Sequence, residues 1–394
     1  MRAWSDRPFG PVTPLPDVAA EGARVAGENG QSTMVYECAG HPGWLVKRYK
    51  PGFPEEPAEV LDRLIALPAA MSPAERAVVD AATCWPVSRV ESGGRTVGVV
   101  MAKAPPEFFV RVRTPFGESD PMPLSLDQLV QSDREFYEAR DMPVPDRRER
   151  VLVARNMLRV GAVLERRDVV YGDWSYANLF WARGTGGVFL IDMDGCGLSS
   201  RAWVECNSWD DPAVRPGERL TVRTDRYKIA VAVLRALTGV RGQDPHPALD
   251  ALGGRLRAGP FGDALKCAID DPPELRPSSG ELLELLESEL DARPAPRPAP
   301  PPVRQRPPEP APPSERPARP PAEPPAAPPA RTAAPTAART SSHAASRPSI
   351  EDDPFERDAG PAAGGLDRYV LPLIAACLGV LALLALAGLA SALF

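Results

Sequence analysis

Three side chains in residues 171–195, YGDWSYANLFWARGTGGVFLIDMDG, have types and spacing that could do chemistry together: Asp173, Asn178 and Asp192. One carboxylate can orient or deprotonate an acceptor hydroxyl. An amide oxygen and a second carboxylate can hold the magnesium that bridges phosphate groups. That is the set phosphoryl transfer requires. Solvated acids at the ends of an ordinary hairpin would look the same in isolation, so the elements around them decide. Val188, Phe189, Leu190 and Ile191 predict a buried strand that delivers Asp192 to a cleft. Leu179, Phe180 and Trp181 predict its hairpin partner, with Gly184, Gly186 and Gly187 in the turn.

Phosphoryl transfer also needs a phosphate lid and a lysine upstream. Residues 23–50 contain Gly27 and Gly30 in a polar loop between two β-like runs, Ala23–Ala26 and Met34–Cys38. Glycines there let backbone N–H groups approach phosphate oxygens. The turn His41-Pro42-Gly43 and the apolar run Trp44-Leu45-Val46 then deliver Lys47, which can reach the α- and β-phosphates. Each feature alone is weak, since such a loop is often a plain hairpin turn and a strand-end lysine is usually solvated. In this order, upstream of Asp173, Asn178 and Asp192, they reinforce one another. Replacing Lys47 by Met is expected to spare folding.

These motifs resemble the eukaryotic-like Ser/Thr protein kinases of bacteria, most closely the divergent branch with GxGGxGxVY-type lids, HGD-type catalytic loops and an ID-x-D magnesium motif. The resemblance spans about residues 20–290 and implies an α+β, two-lobed protein kinase-like fold. It implies ATP and Mg2+ as cofactors, with Asp173 and Lys47 catalytic and Asn178 and Asp192 as metal ligands. Gly27, Gly30, Val35, Lys47, Glu59, Met101, Ala102 and Ala104 would line the nucleotide site. Cys84-Trp85-Pro86 and Gly98–Met101 resemble the fourth and fifth strands, with the adenine-binding hinge at Ala102–Ala104. Thr224-Asp225-Arg226-Tyr227, opening the run Ile229–Leu237, resembles the buried helix whose Asp braces the catalytic loop. Asp271-Pro272 through Arg276-Pro277 resembles the entry to the last helix, Leu282–Leu290. The lid lysine would need an acid on the helix near Glu55–Leu67. Glu59, on a face with Arg63 and close to Leu61 and Leu64, is chosen over Glu55 and Glu56.

The departures from that pattern are specific. Lining Val35 up with the lid valine puts Glu28 at the first glycine and Thr33 at the third, which implies a stiffer lid or one shifted onto Gly27. Tyr171-Gly172 replaces the His-Arg before the catalytic Asp, which argues against control by activation-loop phosphorylation. Ser175 replaces the lysine that commonly contacts the γ-phosphate. Asp194 takes the glycine position of D-F-G. The segment ends Trp209-Asp210-Asp211-Pro212 in place of A-P-E, which leaves the acid–arginine brace to the last helix unassigned.

Elsewhere the coarse pattern is regular. An antiparallel sheet is expected over about 20–102, and a short helix over Pro73–Ala82 with Ser72 as N-cap and Glu75 completing a capping box. Arg147–Arg167 carries Val151, Leu152, Met157, Leu158, Val160 and Leu164 at helical spacing and should feed the strand Val169-Val170. The proline-broken stretch from Ala104 to Leu124 suggests no element.

The resemblance and the composition together divide the chain into a 1–19 N-terminal extension, a 20–292 protein kinase-like domain (with 20–103 and 104–292 as the two lobes the resemblance implies), a 293–368 linker and a 369–393 transmembrane helix. The 49 prolines are heavily skewed toward a Pro/Ala/Arg-rich stretch with almost nothing aliphatic to bury, so 293–368 is expected to be a disordered tether. Tyr369–Phe394 carries no charge and exceeds the ~20 apolar residues that cross a bilayer. With no apolar leader at the start and Arg368 before the span, the expected topology is a single-pass inner (cytoplasmic) membrane protein with its domain in the cytoplasm. The partners implied are membrane-associated protein substrates, and the membrane itself through the C-terminal helix. A net charge of −6 argues against nucleic acid. The six cysteines form no C-x-x-C pair and read as free thiols. Nothing sets the oligomeric state. Two alternatives stand beside an active protein kinase: a membrane-tethered pseudokinase, and a small-molecule kinase of the aminoglycoside or choline type.

Overall fold

The computed structural model describes residues 3–28, 31–52, 58–203 and 208–291. The Pro-rich stretch and the C-terminal apolar run therefore lie outside the described residues, and among those described no helix is long and apolar enough to cross a membrane. The architecture is mixed α+β. A six-stranded sheet is built from β1 (Val12–Pro14), β2 (Glu21–Ala26), β3 (Ser32–Cys38), β4 (Trp44–Tyr49), β5 (Pro86–Ser92) and β6 (Arg95–Ala102), in the order β1-β5-β6-β4-β3-β2. All neighbours are antiparallel except β1, which runs parallel to β5. The segment expected to be a mere extension thus supplies an edge strand, the short helix α1 (Leu15–Val18), and Trp4, whose indole Nε1 donates to Ile65 O at 2.9 Å.

Side-chain alternation sorts the sheet's two faces. Trp44 and Val46 of β4 join Val100 and Ala102 of β6 in one core, with Tyr36, Val87 and Val90. Leu45 and Tyr49 join Val99 and Met101 on the other face, packed with Leu61, Ile65, Phe108 and Phe189. Lys47 has the parity of Leu45 and Tyr49, so the strand's own period turns its side chain toward that second face. Between β4 and β5 lie α2 (Ala58–Ala66) and α3 (Pro73–Ala82). The Ser72–Glu75 capping box of α3 forms as expected, the Ser72 hydroxyl accepting from Glu75 N and the Glu75 carboxylate from Ser72 N.

The stretch after the sheet, where no element was expected, folds into two small pairs, β7 (Phe109–Val110) with β10 (Met122–Pro123), and β8 (Arg113–Thr114) with β9 (Gly117–Glu118). Next come α4 (Leu126–Leu129), α5 (Arg134–Glu138) and the long α6 (Arg147–Arg166), N-capped by Asp146 in a capping box with Glu149. Strand β11 (Val169–Val170) follows and pairs with β14 (Gly197–Leu198). Between them β12 (Leu179–Trp181) and β13 (Val188–Leu190) form the expected hairpin, with Leu179 opposite Leu190. Helix α7 (Val222–Thr238) is buried almost all round and lies against α6. A Cβ on Gly161 of α6 would fall 2.2 Å from Ile229 Cδ1 of α7, so any larger residue there would force the Ile229 side chain to move. Helices α8 (His246–Ala251), α9 (Gly254–Ala258), α10 (Pro260–Asp270) and α11 (Ser279–Asp291) complete the helical core.

Candidate active site

The β12–β13 hairpin and the inward face of β4 bring the sequence-distant polar residues together. Lys47 is 5 % exposed, and its Nζ lies 3.1 Å from Asp192 Oδ1 and 3.0 Å from Asp194 Oδ1. Tyr49, two residues along the same strand face, donates its hydroxyl to Asp194 Oδ2 at 2.8 Å. Asp192 takes up the left-handed region, φ 57° and ψ 34°, which few non-glycine residues adopt. That turn sets Asp192 and Asp194 on Lys47, while Met193 between them is buried in the helical core. Burial works against the charge on Lys47, but Asp194 and Asp192 outweigh it and hold the ammonium above its ordinary range. For Asp192, the protein packed around its inner edge raises the pKa although 46 % of the side chain stays exposed, Lys47 opposes the rise, and Asp194 adds to it. Burial likewise keeps the Tyr49 hydroxyl protonated as a donor.

Glu59 is a correction. It is exposed on α2, and the acids paired with Lys47 are Asp192 and Asp194. The reason is geometric: Leu61, Leu64 and Ile65 are the residues α2 buries, and Glu59 falls off that stripe. Glu55 and Glu56 lie outside the described residues. Asp194, read from the sequence only as an altered glycine, is the buried partner that was missed. Its signal was the D-x-D spacing with an apolar residue between, which puts two carboxylates on one side of the chain.

The other expected nucleotide residues divide. Val35 pairs directly with Lys47 across β3 and β4 and packs on the second face, as do Met101 and Ala104. The Ala102 side chain lies in the opposite core, so only its backbone could border that face. Its N–H is already donated to Trp85 O at 3.4 Å. Gly27 has no steric need to be glycine, since an added Cβ would meet only the flexible Arg24 guanidinium. Gly30 lies outside the described residues. Glu28 forms an ion pair with Lys50 at 3.1 Å, and the Thr33 hydroxyl donates to Arg48 O at 3.3 Å. The contacts tie the loop's flanks to β4 and to the residue that follows it.

Asp173 and Asn178 sit in the loop between β11 and β12. Asn178 Nδ2 donates to Asp173 O at 3.2 Å, and Asn178 O accepts from Ile191 N at 3.0 Å, which places Asn178 beside the residue preceding Asp192. The Tyr171 hydroxyl donates to Ile191 O at 2.7 Å and its ring stacks edge-on against Trp174 at 5.3 Å. The loop is therefore fastened to the end of β13 at two points. Asn178 and Asp192 offer hard oxygen donors suited to Mg2+, which keeps several waters and takes few protein ligands. Among the described residues no group of three or more acidic, His or Cys side chains forms a metal site, so these two residues would supply the protein donors, and Lys47 would share Asp192 with the ion.

Under the loop, Asp225 of α7 accepts from Tyr171 N at 2.7 Å and from Gly172 N at 2.9 Å, as the expected brace. Burial pushes its carboxyl up to about 6, although Lys228 and the two N–H groups oppose the rise. The brace left unassigned is present: Asp211 and Arg276, both almost fully buried, form a two-point ion pair, with Arg276 Nη2 donating to Asp211 Oδ1 at 2.8 Å. An acid directly before Pro212 was the available signal. Cys38, Cys84, Cys196 and Cys267 are free thiols, as expected for these four. Cys206 and Cys377 lie outside the described residues. No protein-family model matches this chain, and no curated protein matches it.

Proposed function

We propose that the chain is an ATP-dependent phosphotransferase of the protein-kinase type, with the sheet and the helical part as its two lobes. The observation that carries this is the convergence of Lys47 from β4, Asp192 from the end of β13 and Asn178 from the loop that holds Asp173. In the proposed reaction the acceptor hydroxyl oxygen forms a bond to the γ-phosphorus of ATP, ADP leaves, and the hydroxyl proton passes to Asp173. Lys47 would hold the α- and β-phosphates. Asn178 and Asp192 would hold magnesium, which supplies neutralisation of the phosphate charge. The buried Asp211–Arg276 pair supports a protein acceptor over a small molecule, because it fixes the segment that would border a polypeptide. Residues 293–393, the proposed tether and span that would bring membrane proteins within reach, lie outside the described residues.

One observation favours a second reading, a nucleotide-sensing module without turnover. Asp194 competes for Lys47 at 3.0 Å from a buried position, which would hold the lysine back from phosphate. Thermal unfolding of the full chain, with phosphate transfer to casein as acceptor probe, separates the two. Mg-ATP should raise the midpoint of the wild type and not of Asp192→Asn, and Asp173→Ala should bind Mg-ATP normally while losing transfer. Binding without transfer in the wild type would establish the second reading. No Mg-ATP-dependent shift in the wild type would end both.

A further inference from the structure

The two peptide groups in front of Asp173 are held on all their polar atoms. Their N–H groups both go to Asp225. Their carbonyls are taken by cations: Arg201 Nη1 donates to Tyr171 O, and Lys228 Nζ donates to Gly172 O at 2.9 Å. Arg201 also supplies bulk. Gly172 has φ +68°, and a Cβ there would lie 2.7 Å from Arg201 Cδ and 2.9 Å from Leu220 Cδ1. The position that lacks an arginine in the sequence is thus covered by an arginine from the segment after Asp192.

Each cation also fastens that segment. Arg201 pairs with Leu220 through both backbone bonds at 3.0 Å. Lys228, with no exposed surface, lies 3.3 Å from Asp210. A fully buried ammonium needs its donors satisfied, and among the described residues Lys228 reaches both the catalytic loop, through Gly172 O, and the segment, through Asp210. Next to Asp210, Trp209 stacks on Tyr176, between Asp173 and Asn178, at 4.7 Å, with the Arg235 guanidinium 4.2 Å from its indole.

We propose that Lys228 and Arg201 are positioning residues for Asp173, which lock the segment after Asp192 onto the catalytic loop with cations the fold already carries, so that the lock needs no phosphate on that segment. What Asp173 does once positioned rests on the phosphotransfer reading. The lock itself does not.

Hydrogen exchange on the full chain, beside Mg-ATP turnover with casein as acceptor probe, tests this. In Lys228→Met, peptides covering 168–173 and 208–212 should exchange at least ~10-fold faster, with those of β4 and β6 unchanged. Turnover should fall at least ~50-fold while KM for Mg-ATP stays within ~2-fold, and Lys228→Arg should restore most of both. Asp210→Asn changes a partly exposed group and should show the same pattern more weakly, which keeps the test usable if Lys228→Met does not fold. Phosphatase treatment of the wild type should change neither readout. Wild-type exchange in Lys228→Met, or in Asp210→Asn if the former does not fold, overturns the proposal, and so does loosening of the segment by phosphatase. A wild type without turnover whose variants still show the exchange pattern removes the phosphotransfer reading and leaves the lock standing.

Discussion

Around Lys47, one cation meets two carboxylates, and the Asp192 side chain is 46 % exposed. Around Asp225, Lys228 and Arg201 hold the two carbonyls and Asp225 the two N–H groups of the Tyr171-Gly172 step, Lys228 also meets the Asp210 carboxylate, and only Asp210 has appreciable exposure. The first cluster carries an excess negative charge at an accessible edge, which favours recruitment of a further cation. The second is neutral and closed, which favours a fixed geometry. The two groups of charges thus differ in exposure and in how completely their polar groups are paired.

Removing Asp225 should show the cost of opening the closed cluster. Asp225→Ala leaves two buried N–H groups without their acceptor and takes a nearby negative charge away from Lys228, and should lower stability by about 2–5 kcal/mol. Urea denaturation would measure it, and a loss under 1 kcal/mol would mean the cluster is not closed in solution. Lys47→Met tests the open cluster in the same way. The sequence alone suggested that this change spares folding, but Asp194 is buried and would lose its cation, so a smaller loss of about 2–3 kcal/mol is expected. Asp192, half in solvent, can rehydrate and blunts the effect.

The pH dependence sharpens the comparison further. Asp225 titrates near 6 in the fold against 3.8 for an ordinary aspartate, because burial penalises its charged form. Its contribution to stability is therefore full below pH 3.8 and is lost as the pH rises through about 6. Asp225→Asn cannot ionise. The stability of the wild type relative to this variant should fall by about 2 kcal/mol from pH 4 to pH 7. A difference that stays flat over that range would place the Asp225 pKa at its ordinary value. The smallest effect belongs to Glu59→Gln, which should leave stability within about 0.5 kcal/mol and Mg-ATP affinity unchanged. A marked loss of affinity would return Glu59 to Lys47 and make Asp194 a partner of one conformation only.

Much of this was legible along the chain because its causes are local. The parity of β4 turns Lys47 to the face of Leu45 and Tyr49, and the Ser72–Glu75 capping box starts α3 within four residues. The β12–β13 hairpin follows from two apolar runs and a glycine turn. Other features had no local cause. The partner of Lys47 was sought on α2 by family pattern, yet that helix buries Leu61, Leu64 and Ile65, and its rotation leaves Glu59 in solvent.

The sequence by itself determined the types and order of the reactive side chains, the periodicities that form their strands and helices, and the caps that end them. These are short-range effects of backbone geometry and side-chain shape. Tertiary structure alone decided which charges meet. Lys47 and Asp194 are 147 residues apart, and Asp211 and Arg276 are 65 apart. Arg201 covers Gly172 only because the segment after Asp192 folds back over the loop. A buried charge is stable only beside its counter-charge, and which counter-charge arrives depends on how the sheet, the hairpin and α7 pack, a property that no window of sequence contains.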